Sequence, residues 1–155
     1  MVEIIRLVKQ FREAIDIARG EDAFLKDICF GNFPHGCCGD ASDLLANYLL
    51  SHGIQTWYVC GTYYGESEEY RQSHAWLELS NGIIIDITGD QFKYKDVFLN
   101  YNNPAYIGEM DDFHALFEVE EMDIRKSVTI ERLGEFCYPR LKELYDIIIR
   151  YSSKN

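Results

Sequence analysis

Residues 73–88 read SHAWLELSNGIIIDIT, and this stretch decides the fold. Two runs rich in apolar residues, 73–79 and 83–88, flank Asn81 and Gly82. The Asn-Gly pair is the strongest short hairpin signal in the chain. The stretch therefore predicts two antiparallel strands joined by a tight turn.

Helical patterns lie on both sides of this hairpin. Apolar residues recur at helical spacing over 1–19, and Gly20 is placed to stop that helix. A loop containing Pro34 and two glycines opens into a second helix that begins near Cys38, with Gly53 as its natural end. The last helix is predicted over 139–151.

The remaining strands are predicted from β-branched and aromatic residues. The run 54–61 reads as a strand before the hairpin, and the polar segment 65–72 reads as an exposed loop. Between 91 and 130 we expect one or two further strands, around 97–99 and 116–119. Helices and antiparallel strands in this order predict one α+β domain spanning 1–155. Its core segment, at about 33–92, carries the candidate residues described next.

Three residues of this core form a candidate thiol triad: Cys38, His74 and Asp86. A thiol at a helix N-terminus lies against the positive end of the helix dipole, which favours the thiolate. The unpaired N–H groups there can also receive an oxyanion. A histidine can then move the proton, and a carboxylate can fix the histidine tautomer.

The length of the hairpin turn tests this triad. A two-residue turn places His74 and Asp86 on opposite faces of the sheet. A three-residue loop with Gly82 in the left-handed conformation instead places Asp86 opposite Trp76, one diagonal step from His74 and on its face. We therefore predict a three-residue loop or a bulge. An unbulged two-residue turn would make Asp90 the replacement for Asp86.

These residues resemble the transglutaminase-like signature of the papain-like cysteine protease superfamily. The segment 36–42, GCCGDAS, is similar to the family's cysteine at a helix start, and Gly53-Ile54 is similar to its helix end. The string HAWLE at 74–78 resembles the family's His-Ala-Trp-Val-Glu strand, and Asp-Ile-Thr at 86–88 resembles its Asp-Pro-Thr. The resemblance implies a papain-like fold and acyl transfer through a thioester, with Cys38 as nucleophile, His74 as base and Asp86 as orienting residue.

Some features depart from the family pattern. Ile87 replaces the family's proline, and no tryptophan precedes Cys38 to serve an oxyanion. The remaining oxyanion donors would be the Cys38 backbone N–H and Asn32, the latter chosen from its proximity in sequence. Further candidates are residues near a substrate cleft: Trp76, Asp90, Gln91 and Cys37. Packing is the alternative role for Trp76, and a turn is the alternative role for 90–91.

The choice between the two adjacent cysteines rests on spacing. Helical periodicity does not separate Cys37 from Cys38. The interval from Cys38 to Gly53 agrees with the family better, and Gly39 leaves room for a substrate backbone to approach. We therefore prefer Cys38 as the nucleophile, with Cys37 as a buried neighbour.

Composition limits the partners and the compartment. The net charge of −11 repels phosphate backbones and anionic headgroups, so we expect no nucleic-acid or membrane binding and instead a peptide or protein substrate, possibly a cationic one. Five cysteines without paired spacing indicate reduced thiols. Without a signal-like apolar stretch, a cytoplasmic protein is the expectation, although export without a signal would leave the same pattern. No cofactor is expected.

The sequence leaves several alternatives open. Hydrolysis by a peptidase, amidase or deamidase is preferred, but an amine acceptor would make the chain a cross-linking enzyme. A zinc site could use His35, Cys37, Cys38 and His74, although no Cys-x-x-Cys pair is present. A non-catalytic binding module would use acidic residues: Glu66, Glu68, Glu69, Asp111, Asp112, Glu118, Glu120 and Glu121.

Overall fold

The structure is a computed structural model that describes residues 1–153. Over these residues the chain forms three α-helices and five β-strands. The helices are α1 (Val2–Gly20), α2 (Cys38–Ser51) and α3 (Tyr138–Ser152). The strands are β1 (Trp57–Tyr63), β2 (Gln72–Glu78), β3 (Ile84–Asp86), β4 (Tyr106–Gly108) and β5 (Ile124–Lys126). This architecture confirms the predicted α+β class.

The five strands form one antiparallel sheet in the order β4-β3-β2-β1-β5. The three predicted helices and the strands of the hairpin lie where the sequence places them. The two strands expected around 97–99 and 116–119 are wrong. The first falls on the 3-10 turn Asp96–Phe98, and the second contributes only an isolated bridge between Thr62 and Glu118.

The hairpin loop has the predicted three residues. Leu79 and Ile83 close the loop, since the Leu79 N–H donates to the Ile83 carbonyl at 2.9 Å. Gly82 has φ +84°, the left-handed conformation that this loop requires. The register continues with Leu77 opposite Ile85, so Asp86 lies on the face of the sheet that carries His74.

The two faces of the sheet bury different cores. All three helices and the apolar side chains Leu77, Ile85 and Ile87 form the helical core. The opposite face is covered by an aromatic cluster, which we call the aromatic layer: Val59, Trp76, Ile84, Phe92, Phe98, Phe113 and Phe117. The seam between these two cores positions the candidate site, because one core carries α2 and the other surrounds His74.

One buried ion pair connects the layers across this seam. Arg12 of α1 makes two 2.8 Å hydrogen bonds to the Asp90 carboxylate, which follows β3. The same guanidinium donates to the carbonyl oxygens of Ile87 and Pro104. Arg12 therefore fixes the segment after β3 against the helical layer.

Among residues 1–153, each helix is too short or too polar to span a lipid bilayer.

Candidate active site

The first turn of α2 carries Cys38. Residue Cys37 at the N-cap makes no side-chain capping hydrogen bond, so its side chain leaves the first N–H groups of the helix free. This helix start is anchored from α3, because Arg140 pairs at 2.8 Å with both Asp40 and Asp27. The Asp27 carboxylate also accepts the backbone N–H groups of the loop that precedes α2.

The surroundings of Cys38 favour its thiolate. Desolvation raises the pKa of the partly buried thiol, but interaction with the His74 ring and a hydrogen bond from the Ala75 backbone N–H outweigh it. The net effect lowers the pKa of Cys38 below its ordinary value. Cys38 thus interacts with the His74 ring and with the backbone of β2.

Cys37 is directed the other way. Its side chain is completely buried, and its Sγ lies 2.9 Å from the Cys29 carbonyl oxygen. Burial raises the pKa of Cys37 to about 12. The predicted role as a buried neighbour is confirmed, and this thiol presents no surface to a cleft.

Gly39, next to Cys38, makes a close contact. A Cβ at this position would lie 3.2 Å from the Tyr58 hydroxyl. The sequence suggested that a substrate backbone uses the space at Gly39, but in the structure the Tyr58 hydroxyl approaches it. Desolvation and the neighbouring charges of Asp43, Cys60 and Cys38 raise the pKa of Tyr58, so its hydroxyl keeps its proton.

His74 lies in β2 opposite Gly61 and is completely buried. Its ring packs among the aromatic layer, at 5.2 Å from Phe92 and 5.6 Å from Phe113 between ring centroids. Burial opposes its protonation, but the charge and hydrogen bond of Asp86 outweigh burial and raise the pKa of His74 to about 9. At neutral pH the ring is thus a cation, and its charge favours the thiolate form of Cys38.

Asp86 orients the His74 ring. Its Oδ2 accepts a 2.7 Å hydrogen bond from His74 Nε2, and its Oδ1 accepts the Thr88 backbone N–H at 2.9 Å. Although desolvation opposes ionisation, His74 and His114 lower the pKa of this carboxyl well below its ordinary range. The predicted pairing of Asp86 with His74 is therefore present.

Gln91 occupies the other side of the His74 ring. Its Nε2 lies 3.3 Å from His74 Nδ1 and donates to the Thr88 carbonyl at 3.1 Å. Asp90, predicted beside it at the cleft, is instead held by Arg12. Gln91 is thus the residue of this pair that contacts the site.

Two other candidates lie elsewhere. Trp76 is fully buried behind His74, with its Nε1 donating to Glu78, so it packs and offers no surface to a substrate. Asn32 is exposed in the 3-10 turn Phe30–Asn32. No side-chain hydrogen bond within residues 1–153 joins Asn32 to Cys38 or His74.

His114 is the site residue that sequence reasoning missed. It is completely buried, and its Nε2 lies 2.8 Å from Asp86 Oδ2. Its Nδ1 lies 2.6 Å from Asp111 Oδ1. The sequence offered one signal for His114, which is Asp111 three positions before it. Both residues lie in the segment 91–130, whose apolar pattern is irregular.

Comparisons of the chain with protein-family models, curated proteins and solved structures find no match.

Proposed function

We propose that the protein is a cysteine enzyme that transfers acyl groups from amides through Cys38, His74 and Asp86. The observation that carries the proposal is a helix-start thiol whose pKa is lowered by its interaction with a buried, carboxylate-held histidine. Structural thiols have raised pKa values, as Cys37 does, whereas the pKa of Cys38 is lowered. The arrangement suits a nucleophile and its acid–base partner.

Each group has one task in the reaction. The Cys38 thiolate attacks the amide carbonyl carbon, and the protonated His74 gives its Nδ1 proton to the leaving amine. The C–N bond breaks and leaves a thioester on Cys38. His74 then takes a proton from water, whose oxygen attacks the thioester and releases the acid and the thiolate. Asp86 remains ionised and holds His74 through both steps.

The negative oxygen formed in each step needs hydrogen-bond donors. The backbone N–H groups of Cys38 and Gly39 open α2 without a capping side chain. The Tyr58 hydroxyl, which approaches Gly39, is a protonated donor beside them. We assign the oxyanion to this corner and not to Asn32.

The fold belongs to the proposal as well. A helix that begins with the nucleophile and packs on an antiparallel sheet bearing histidine and aspartate is the papain-like, transglutaminase-like arrangement. Hydrolysis of a peptide or side-chain amide remains our preferred outcome, with an amine acceptor as the alternative. A reducing, cytoplasmic setting suits a thiol that must stay reduced.

A simple acyl donor tests the proposal without knowledge of the natural substrate. With 4-nitrophenyl acetate we expect a burst of nitrophenol and a single acetyl adduct on Cys38, identified by peptide mass spectrometry. Cys38→Ala should lose the burst and the adduct. His74→Gln should slow acylation, because it removes the ring that favours the Cys38 thiolate.

Cys37→Ala is the matched control, because it removes the neighbouring thiol and should keep the burst. Adding an amine to the acetylated enzyme distinguishes amine transfer from hydrolysis by its product. Equal, slow acetylation of all five cysteines would overturn the enzyme proposal and favour the acidic binding module.

A further inference from the structure

We infer that His114 and Asp111 form a second imidazole–carboxylate pair that positions Asp86 for His74. The inference rests on the proposed function and extends it to residues that the triad does not use. It makes both of them positioning residues, since neither reaches Cys38.

The inference starts from the shared oxygen of Asp86. Oδ2 lies 2.7 Å from His74 Nε2 and 2.8 Å from His114 Nε2. A carboxylate oxygen only accepts, so both rings donate N–H to it. Asp86 therefore has two donors on one oxygen and Thr88 on the other, and it cannot rotate without breaking one of them.

The other side of His114 also faces a carboxylate. Asp111 Oδ1 lies 2.6 Å from His114 Nδ1 and accepts the His114 backbone N–H at 2.8 Å. Asp111 Oδ2 accepts the Tyr101 hydroxyl at 3.0 Å. With a carboxylate oxygen at each nitrogen, His114 is placed to donate from both. A doubly protonated ring between Asp86 and Asp111 satisfies all of these contacts.

Burial strengthens the hydrogen bonds of this arrangement. His74, Asp86 and His114 are each at most 1% exposed, so water does not compete for their hydrogen bonds. The His114 ring stacks on Phe113 at 4.9 Å and on Tyr106 at 5.3 Å between centroids. Its orientation is fixed by packing as well as by hydrogen bonds.

His74, Asp86 and His114 are also residue types that bind metals, and one ligand atom of each lies within 4.8 Å of the others. Ligand atoms around a tetrahedral zinc ion, each at ~2.0–2.2 Å from the metal, are about 3.3–3.6 Å apart. The contacts of 2.7 and 2.8 Å to one shared oxygen are shorter and match hydrogen bonds. We therefore assign protons to these contacts.

Nitrogen NMR of the histidine rings tests the assignment independently of activity. In the wild-type protein we expect the signals of both His114 ring nitrogens to show N–H groups that donate to the two carboxylates. Asp111→Asn removes the charge that holds the Nδ1 proton and should leave His114 with one ring proton. A singly protonated His114 in the wild type, unchanged by Asp111→Asn, would overturn the inference.

The effect on the site is read from the thiolate absorbance of Cys38 against pH. His114→Leu removes one hydrogen-bond donor to Asp86, so Asp86 holds the His74 cation less firmly. Because that cation lowers the pKa of Cys38, the pKa of Cys38 should rise. The thiolate titration curve of Cys38 should therefore shift to higher pH, by about one pH unit for each tenfold weakening of the thiolate. His114→Gln keeps one N–H donor for Asp86 and should recover part of this loss.

His35→Gln, at an exposed histidine, is the matched control and should leave the thiolate titration unchanged. A merely structural His114 would lower thermal stability in His114→Gln without moving the titration, and that result would contradict the inference. Stoichiometric zinc bound by these three residues would also overturn it. If the NMR and titration results hold while acetylation of Cys38 fails, the proposed function is wrong and the second pair still stands.

Discussion

Cys37 and Cys38 are adjacent in the chain, yet their thiols meet opposite surroundings. The Cys37 side chain is enclosed beside the Cys29 carbonyl, and burial raises its pKa to about 12. Cys38 faces His74 and the Ala75 N–H, which together outweigh its desolvation. Adjacent positions at the helix start thus hold one thiol with a raised pKa and one with a lowered pKa, and a lowered pKa is typical of reactive thiols.

Alkylation against pH should report this difference. Because the pKa of Cys38 is lowered and that of His74 is raised to about 9, the thiolate–imidazolium pair exists between these two pKa values. Iodoacetamide should therefore modify Cys38 faster at pH 6 than it modifies a free cysteine thiol, because a larger fraction of Cys38 is thiolate. Cys37 should remain unmodified. Peptide mass spectrometry at several pH values gives both rates.

Acyl transfer should have an upper pH limit that alkylation does not share. The leaving amine needs the proton of His74, so acylation by an amide should fall as pH rises through about 9. Alkylation needs only the thiolate, so its rate should stay at its maximum as the pH rises through this value. A Cys38 alkylation rate that follows the free-thiol curve would contradict the assigned ion pair.

Residue types, their order and the family resemblance were enough to propose Cys38, His74 and Asp86, because Cys38 opens a helix and the other two lie in the strands of a recognisable hairpin. His114 lacked such a context. Its role depends on the aromatic layer, which folds irregular segments onto the sheet, and no local pattern encodes that packing.

At the level of elements, the register of β2 and β3 decides the site. The three-residue loop was predictable because Asn81-Gly82 specifies the turn and the triad requires the register. Strands β4 and β5 were not predictable. Each has three residues, too few for an alternating pattern, and each pairs with a neighbour supplied by the tertiary fold.

The pairing of β1 with β2 also positions His74. Gly61 lies opposite His74, and a Cβ at Gly61 would lie 2.7 Å from Phe117 and 3.1 Å from Trp76. Gly61→Ala should therefore overpack the aromatic layer and destabilise the fold by about 1–3 kcal/mol. Displacement of β2 should also slow the alkylation of Cys38.

Thermal unfolding and alkylation at pH 6 measure these two effects. Gly20→Ala is the control, since a Cβ at the end of α1 meets nothing within 4 Å. This variant should leave the alkylation rate unchanged and should keep or slightly raise the thermal stability. Equal behaviour of the two variants would show that the layer accommodates the methyl group.

At the level of the whole molecule, the site lies on the seam between two cores. Cys38 comes with α2 from the helical core, whereas His74, Asp86 and His114 lie on the side of the aromatic layer. Their alignment therefore depends on how firmly the two cores are held together. Arg12 is the buried ion-pair partner that reaches from α1 to the segment after β3.

Arg12→Ala should consequently destabilise the protein and loosen the site. The side chains of Arg12 and Asp90 are only 9% and 12% exposed, so the substitution leaves the buried Asp90 carboxylate without its cationic partner. Loss of one partner of such a pair costs about 3–5 kcal/mol. In a chain of this size that corresponds to a fall in Tm of roughly 10 °C.

Arg6→Ala is the matched control on the same helix, because Arg6 pairs with Glu3 in an exposed position. It should change stability little, because an exposed ion pair is screened by solvent. The double variant Arg12→Met with Asp90→Leu should recover stability relative to Arg12→Ala, since no buried charge is left alone. If Arg12→Ala and Arg6→Ala had the same Tm, the Arg12–Asp90 ion pair would not be what joins the two cores. Recovery of Cys38 alkylation in the double variant would show that the site depends on the joining of the two cores and not on the charge of Arg12.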